Sequence, residues 1–292
     1  MLTGKKIAFI GGDERYIQTI NHLAAKNADL FAVGFSEVSF DLINLHHCSM
    51  DEIPFDKIDG LVLPVSGMDE TGHIQLDFPK DKTELTIEIV KKTDEHCIIY
   101  TGTANERLKT LAKESDRKIV ILFERDDIAI ANSIPTAEAT LQIAMEETNR
   151  TIHGANILVM GFGRVGITMA RLFQQVGANV TVAARKQADF ARIHEMRMNA
   201  LPIDEIHAAI DETDICINTV PDLVIGKKAI MRMKQDAIII DVASKPGGTD
   251  FDAAKEQKIK TIHALGLPGK VAPITAGEII GQTIATLAAE NV

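Results

Sequence analysis

The 292-residue chain reads as an α/β protein built from two Rossmann-like, doubly wound parallel-sheet domains with a cleft between them. Three observations predict this. Short apolar runs alternate with amphipathic stretches along nearly the whole length, the pattern of parallel strands covered on both faces by helices. One of those runs opens directly into a G-x-G-x-x-G turn. The length suits two domains of ordinary size, each able to bury its own core.

In chain order, the first strand is expected at Lys6–Ile10, followed by a Gly11-Gly12-Asp13 turn. A helix over 14–26 then carries Ile17, Ile20, Leu23 and Ala24 on one face. Further strands are expected over 30–35, 60–65, 97–100 and 118–123. This first unit lacks the full glycine fingerprint, which assigns it to the substrate side. Its loops lie beyond the carboxyl ends of strands, where open α/β sheets bind ligands. Arg15, Ser66 and the Thr101-Gly102-Thr103 loop offer a cation, hydroxyls and backbone N–H groups that suit a small carboxylate. Turn chemistry, with Asp13 and Thr103 as helix N-caps, accounts for the same residues equally well.

Asn132-Ser133-Ile134-Pro135-Thr136-Ala137-Glu138 predicts the start of a helix running toward Asn149, with Pro135 at or near its first position and Glu138 in its first turn. Such a helix would join the two units beside the cleft. Thr136 and Glu138 could there face substrate or nicotinamide, or serve only as capping residues.

The second unit opens on a strand over 157–160 that ends in Gly161, Phe162, Gly163, Arg164, Val165 and Gly166. Ile167, Ala170, Leu172 and Val176 follow at helical intervals until Gly177 closes the helix as its C′ residue. A strand over 180–183 completes a βαβ unit. In such a unit the first glycine permits a tight turn, the second lets backbone approach a pyrophosphate, and the third allows close helix-to-strand packing. Phosphate then meets free helix N–H groups.

Which dinucleotide binds is decided after the second strand. NAD enzymes usually place an acidic residue there for the ribose hydroxyls, whereas this chain places Arg185 and Lys186. Each can make a charge-assisted hydrogen bond to a 2′-phosphate, worth about 1.5–3 kcal/mol, so NADP is the expected cofactor. The alternative leaves both cations in solvent and gives the ribose to Asp189.

Strands over 214–219, 237–242 and 260–264 complete the sheet. Their trailing loops line the nicotinamide half of a doubly wound crevice, which makes Thr219, Val220, Pro221 and Ala243 candidate cofactor contacts. A last helix over 275–289 carries Ile279, Ile280, Ile284 and Leu287. It could cap its own domain or cross back to the first, and crossing is the favoured reading. The expected domains are therefore 1–131, joined by 275–292, and 132–274.

Composition narrows the function classes. A formal net charge of −10 argues against a nucleic-acid partner. No apolar run approaches the roughly 18 residues of a membrane helix, and Met1-Leu2-Thr3-Gly4-Lys5-Lys6 enters a strand directly, so a cytoplasmic protein without a signal peptide is expected. Cys48, Cys97 and Cys216 are widely spaced and lie in or beside apolar segments, as reduced, packed thiols do. His46 and His47 would point to opposite faces of a strand, and no metal is expected.

Five segments in one order go beyond the dinucleotide motif. They are Gly-Gly-Asp-Glu-Arg after the first strand, Leu63-Pro64-Val65-Ser66-Gly67, Asn132 to Glu138 as quoted above, Ala243-Ser244-Lys245-Pro246-Gly247-Gly248, and Ala264-Leu265-Gly266-Leu267-Pro268-Gly269-Lys270. Together they resemble the dipicolinate synthase A-subunit family of spore-forming bacteria over nearly the whole chain. Ala139 departs from the pattern, in which glycine is expected. More distantly, the layout is similar to the 2-hydroxyacid and alanine dehydrogenases and to adenosylhomocysteinase.

The resemblance implies oxidation of a dihydrodipicolinate-type intermediate of the lysine pathway to dipicolinate, with NADP as acceptor, in the mother cell during sporulation. It also implies a second, flavoprotein-like protein, the dipicolinate synthase B-subunit, and further copies of the same chain are an expected partner. On this reading Arg15, Ser66 and Lys245 hold the carboxylates of a small dicarboxylate substrate. Lys245 stands roughly where a 2-hydroxyacid dehydrogenase offers arginine, although a solvated loop lysine fits the sequence too. His263 is the histidine nearest the nicotinamide side but lies within a strand, and no general base is assigned. Two other readings stay open. One is a 2-hydroxyacid or alanine dehydrogenase-like enzyme, whose paired Arg and His cannot be placed here; the other is a non-catalytic NADP-binding redox sensor.

Overall fold

In the computed structural model, which describes residues 1–290, the chain divides into two compact units. One comprises Met1–Ala129 and the C-terminal segment from Ala272, and the other Ile130–Val271.

The first unit contains strands β1 (Lys6–Ile10), β2 (Asp29–Val33), β3 (Leu45–His47), β4 (Gly60–Val62), β7 (Ile98–Thr101) and β8 (Lys118–Ile121) in the order β3-β2-β1-β4-β7-β8. Every pairing is parallel. Helices α1 (Glu14–Ala24), α2 (Ile87–Lys91) and α3 (Glu106–Glu114) belong to the same unit. An antiparallel hairpin, β5 (His73–Asp77) and β6 (Lys80–Glu84), was not expected from the sequence, whereas the three-residue β3 holds His46 and His47 on a strand. The hairpin's inner strand alternates buried Ile74 and Leu76 with outward Gln75, whereas β6 is polar throughout and gives no periodic signal.

The second unit repeats the topology. Strands β9 (Asn156–Met160), β10 (Asn179–Ala184), β11 (Asn199–Pro202), β12 (Ile215–Asn218), β13 (Ile238–Asp241) and β14 (Lys260–His263) run parallel in the order β11-β10-β9-β12-β13-β14. Ile157, Val159, Ile217, Ile238 and Ile240 are all buried, the continuous apolar character of strands covered on both faces. Both units thus have the doubly wound strand order of a Rossmann fold.

Helix α4 (Asp126–Glu147) runs through the division between the units and starts earlier than the Pro135 signal predicts. Asp126 and Asp127 occupy its first turn, and Pro135 sits inside it. The Thr136 hydroxyl donates to the Asn132 carbonyl at 2.8 Å, a back-bond within the helix and not a cap. Ala139 is buried, so its side chain is absorbed by the core.

In the second unit α5 (Arg164–Gln175) is followed by Gly177 at φ +89°. The Ala178 N–H bonds the Phe173 carbonyl and the Gly177 N–H the Gln174 carbonyl, the paired bonds of a left-handed C-terminal cap. Helices α6 (Gln187–Glu195), α7 (Lys227–Ile230), α8 (Phe251–Glu256) and α9 (Leu267–Val271) complete this unit.

The final helix, α10 (Pro273–Glu290), packs on α1 within the first unit; the last residues of the expected segment, 291 and 292, lie outside the described residues. Ile280 and Ile284 share a core with Tyr16, Ile20 and Leu23. Gly277 and Gly281 permit the close approach. A Cβ at Gly277 would stand 2.1 Å from the Arg15 carbonyl oxygen, and one at Gly281 3.0 Å from the His22 Cβ. The Thr19 hydroxyl also donates to the Gly277 carbonyl at 3.0 Å. Among the described residues no helix is long and apolar enough to cross a membrane.

Candidate functional site: an open glycine cradle in the second unit

A cavity of about 370 Å³ opens at the carboxyl end of β9 and β10. Gly161, Phe162, Gly163, Arg164, Val165 and Gly166 form its floor, with Arg185, Lys186, Thr219, Val220 and Pro221 around it. The three glycines have different physical reasons. Gly161 has φ +96°, and a Cβ there would lie 2.7 Å from the Thr219 hydroxyl oxygen. At Gly166 a Cβ would lie 2.2 Å from the Gly161 carbonyl oxygen, so α5 could not cross the strand end. Gly163 meets neither constraint: its φ of −88° suits any residue, and nothing lies within 4 Å of its would-be Cβ.

Gly163 is also the N-cap of α5 and brings no side chain to the N–H groups of the first turn. The residues of that first turn, Arg164, Val165 and Gly166, line the cavity, and the positive end of a helix suits an anion. The glycine cradle therefore fits a pyrophosphate by its unfilled approach at Gly163 and by the absence of a capping side chain there.

Arg185 and Lys186 are exposed, and Lys186 is the N-cap of α6. Cations at a helix N-terminus add to its positive field instead of balancing it. Among the described residues neither side chain forms an ion pair. Asp189, in the first turn of α6, lines the same cavity, so the alternative ribose ligand is brought to the same place. Ala184 and Ile203 also line it and were not expected. Ile203 follows β11, a strand whose short sequence Asn-Ala-Leu-Pro lacks an apolar run; regular spacing of strands would have been the only clue.

Ala243 is not brought to the cavity. It is buried, and its N–H donates to Asp241 Oδ1 at 3.1 Å. Lys245 is exposed on the same loop, with no ion pair among the described residues. His263 is partly buried, tilted against the Phe251 ring with centroids 5.1 Å apart, and its Nε2 lies 3.4 Å from the Ala243 carbonyl oxygen. It is a packed strand-end residue.

In the first unit the candidate groups are mostly engaged. The Arg15 Nε–H donates to Asp13 Oδ1 at 2.9 Å, and its Nη2 pairs with Asp13 Oδ2. Burial works against this guanidinium's charge, but the Asp13 hydrogen bond and charge outweigh it and raise its pKa. Asp13 also caps α1 by accepting the Arg15 N–H. Ser66 is exposed on a turn closed by the Gly67 N–H to the Pro64 carbonyl. Thr101 is buried, its hydroxyl within reach of the Pro64 and Thr103 carbonyl oxygens at 3.1 and 2.9 Å. Thr103 does not cap α3, because Asn105 does so through its Oδ1 at 2.9 Å from the Leu108 nitrogen. The cysteines are unpaired, and burial pushes the Cys97 thiol up to about 11 and the Cys216 thiol higher still.

Residues 6–123 match the model of the dipicolinate synthase A-subunit N-terminal domain, and residues 128–247 that of the NAD binding domain of D-isomer specific 2-hydroxyacid dehydrogenases. The dipicolinate synthase A-subunit of Bacillus subtilis is 44% identical over 290 residues, covering 99% of this chain and 98% of that protein. This chain belongs to the dipicolinate synthase A-subunit family. The solved structure of the A-subunit from Bacillus halodurans superposes with a TM-score of 0.96 at 42% identity, covering 99% of each chain. D-lactate dehydrogenase from Escherichia coli shares the fold alone, with a TM-score of 0.60 at 15% identity, covering 98% of this chain and 97% of that one. The family member described here is thus an oxidoreductase whose second unit is a nicotinamide-cofactor domain.

Proposed function

We propose that the chain oxidises a dihydrodipicolinate-type intermediate of the lysine pathway to dipicolinate, with NADP as acceptor, during sporulation. The observation that carries this reading is the whole-chain likeness to the dipicolinate synthase A-subunit. The same likeness supports a place in the mother-cell cytoplasm, partnership with a flavoprotein-like B-subunit, and assembly with further copies of the chain.

In the proposed site the segment from Gly161 to Gly166, with Thr219, Val220 and Pro221, holds the dinucleotide backbone, and Arg185 and Lys186 take the 2′-phosphate. Bound nicotinamide supplies a hydride acceptor. The chain's own task is to orient a dicarboxylate ring, where proximity contributes more than a strong nucleophile. Lys245 and Ser66 are the accessible groups for the carboxylates. Arg15 is held by Asp13 through its Nε–H and one Nη2–H, which leaves three of its five N–H donors for a carboxylate.

One observation favours a second reading of the cofactor. Asp189 lines the cavity beside Arg185 and Lys186, and a carboxylate there suits the free ribose hydroxyls of NAD.

The purified chain, alone and with its B-subunit, is to be mixed with enzymatically generated dihydrodipicolinate and either NADP or NAD. Dipicolinate formed faster with NADP is the expected result. No product from either mixture overturns the reaction, and faster product with NAD overturns the cofactor assignment alone.

A further inference from the structure

The second unit buries a carboxylate that the reading above leaves without a task. Asp241, the last residue of β13, is fully buried. Its Oδ1 accepts from Asn218 Nδ2 at 2.9 Å and from the Ala243 N–H at 3.1 Å. Its Oδ2 accepts from the Gly248 N–H at 2.9 Å and from the Thr249 hydroxyl at 2.7 Å. A carboxylate offers about four acceptor sites, and here three donors from the loop after β13 and one from the end of β12 occupy them.

Asn218 extends the connection. Its Nδ2 also donates to the Val220 carbonyl at 2.9 Å, and its Oδ1 accepts the Val220 N–H at 3.0 Å. The neighbouring Thr219 hydroxyl donates to the Met160 carbonyl at 2.7 Å, which ties the same turn to the strand that opens the glycine cradle. The loops also meet backbone to backbone. A Cβ at Gly248 would stand 2.4 Å from the Val220 carbonyl oxygen and 2.5 Å from that of Asp222. The Val224 and Ile225 N–H groups both bond the Gly248 carbonyl at 2.9 Å.

An apolar side chain could fill the volume of Asp241 without the cost of burying a charge. It would leave the Asn218 amide and the donors of the 243–249 loop without this acceptor. We propose that Asp241 is a positioning residue that locks the 219–221 wall of the dinucleotide cavity to the 243–249 loop carrying Lys245, fixing the nicotinamide side of the site as one body. Arg185 follows β10 and Asp241 ends β13, three strands apart in the sheet order, or about 14 Å at the usual strand spacing. The lock therefore acts on one end of the dinucleotide and leaves the adenosine end alone.

The inference rests on the dinucleotide reading of the cavity, and its test uses probes of different reach. NADPH and NADH span the site, whereas 2′,5′-ADP and 5′-AMP occupy the adenosine end only. Affinities are measured for the wild type, Asp241→Asn, Thr249→Val, and the reversed pair Asn218→Asp with Asp241→Asn, together with thermal unfolding of each. In Asp241→Asn one acceptor becomes an NH2 group facing donors, and whole-dinucleotide affinity should fall about tenfold or more. Thr249→Val should produce a smaller loss. The reversed pair, which regains a donor–acceptor match between 218 and 241, should recover part of it.

In all three variants the half-molecule probe should keep its affinity within about twofold. Equal loss for whole and half probes would reduce Asp241 to general stability and overturn the proposal, as would unchanged dinucleotide affinity in Asp241→Asn. Should that variant fail to fold, Thr249→Val and the reversed pair carry the same comparison. A wild type that binds none of the four probes overturns the reading of the cavity itself. A wild type that prefers NADH and 5′-AMP overturns the 2′-phosphate assignment only, and the test is then read on that pair.

Discussion

The two units place the same loop at the same point of the same topology and use it differently. In the second unit the turn after β9 is open, and Gly163 has only empty space where a side chain would be. In the first unit the turn after β1 is closed by the chain itself. A Cβ at Gly11 would lie 2.4 Å from the Gln75 carbonyl oxygen of the hairpin, and one at Gly12 2.5 Å from the Tyr16 ring. Gly12 and Leu76 form an isolated bridge, as do Phe35 and Phe78, so the hairpin lies along the carboxyl ends of β1 and β2. One unit keeps its crevice for a ligand and the other fills it with its own backbone. Strand order thus supplies a location for binding, and the loops decide whether anything can enter.

The largest expected effect tests the closed loop. Gly11→Ala puts a side chain at φ +71° against backbone, a strain and overpacking cost of about 3 kcal/mol. Thermal unfolding should shift down clearly while dinucleotide affinity stays unchanged. A matching loss of affinity would break the contrast between the units.

Gly163→Val is the mirror experiment in the open loop. Apart from its chain neighbours nothing stands within 4 Å of the new Cβ, so the unfolding temperature should hold, while dinucleotide affinity falls about a hundredfold, or about 2.7 kcal/mol. A stability loss without an affinity loss would assign this glycine to packing.

A smaller effect is expected from neutralising Arg185 and Lys186 together. NADP affinity should drop at least about tenfold relative to NAD, read by titration with both cofactors. Equal loss for the two would remove the 2′-phosphate role and favour Asp189.

The smallest effect concerns the hairpin. Burial first, and then the charge of Asp13, raise the pKa of Asp77. A carboxyl whose folded pKa is raised contributes stability below its unfolded pKa and loses it as pH rises through the folded value. Asp77→Asn should therefore raise the unfolding temperature at neutral pH by roughly 1 °C, an advantage that vanishes once acid protonates the wild-type residue. An advantage independent of pH would show that charge is not the cause.

Much of this architecture is legible in residue order because its causes are local. Buried parallel strands are apolar over most of their length, which makes Ile157 to Met160 and Ala237 to Ile240 visible as runs. A G-x-G-x-x-G turn between strand and helix is itself a backbone requirement, so its six positions are found in the cavity together. Other features had no local cause to read. Pro135 carries the signature of a helix start, yet α4 continues through it from Asp126. The polar strand β6 is held by pairing with β5 and not by its own pattern.

Tertiary structure alone decided where the last helix goes, what fills the first crevice and which loop residues meet. Ile280 and Ile284 would suit any apolar partner, but Gly277 and Gly281 fit this close to a helix only against α1. Ala243 sits in a strand-end loop like Thr219, yet its N–H is turned inward to Asp241. Periodicity reports which side of an element is apolar, since that is set by neighbours in sequence. Which backbone lies against that side is set by residues far away in the chain, and only the packed molecule brings them together.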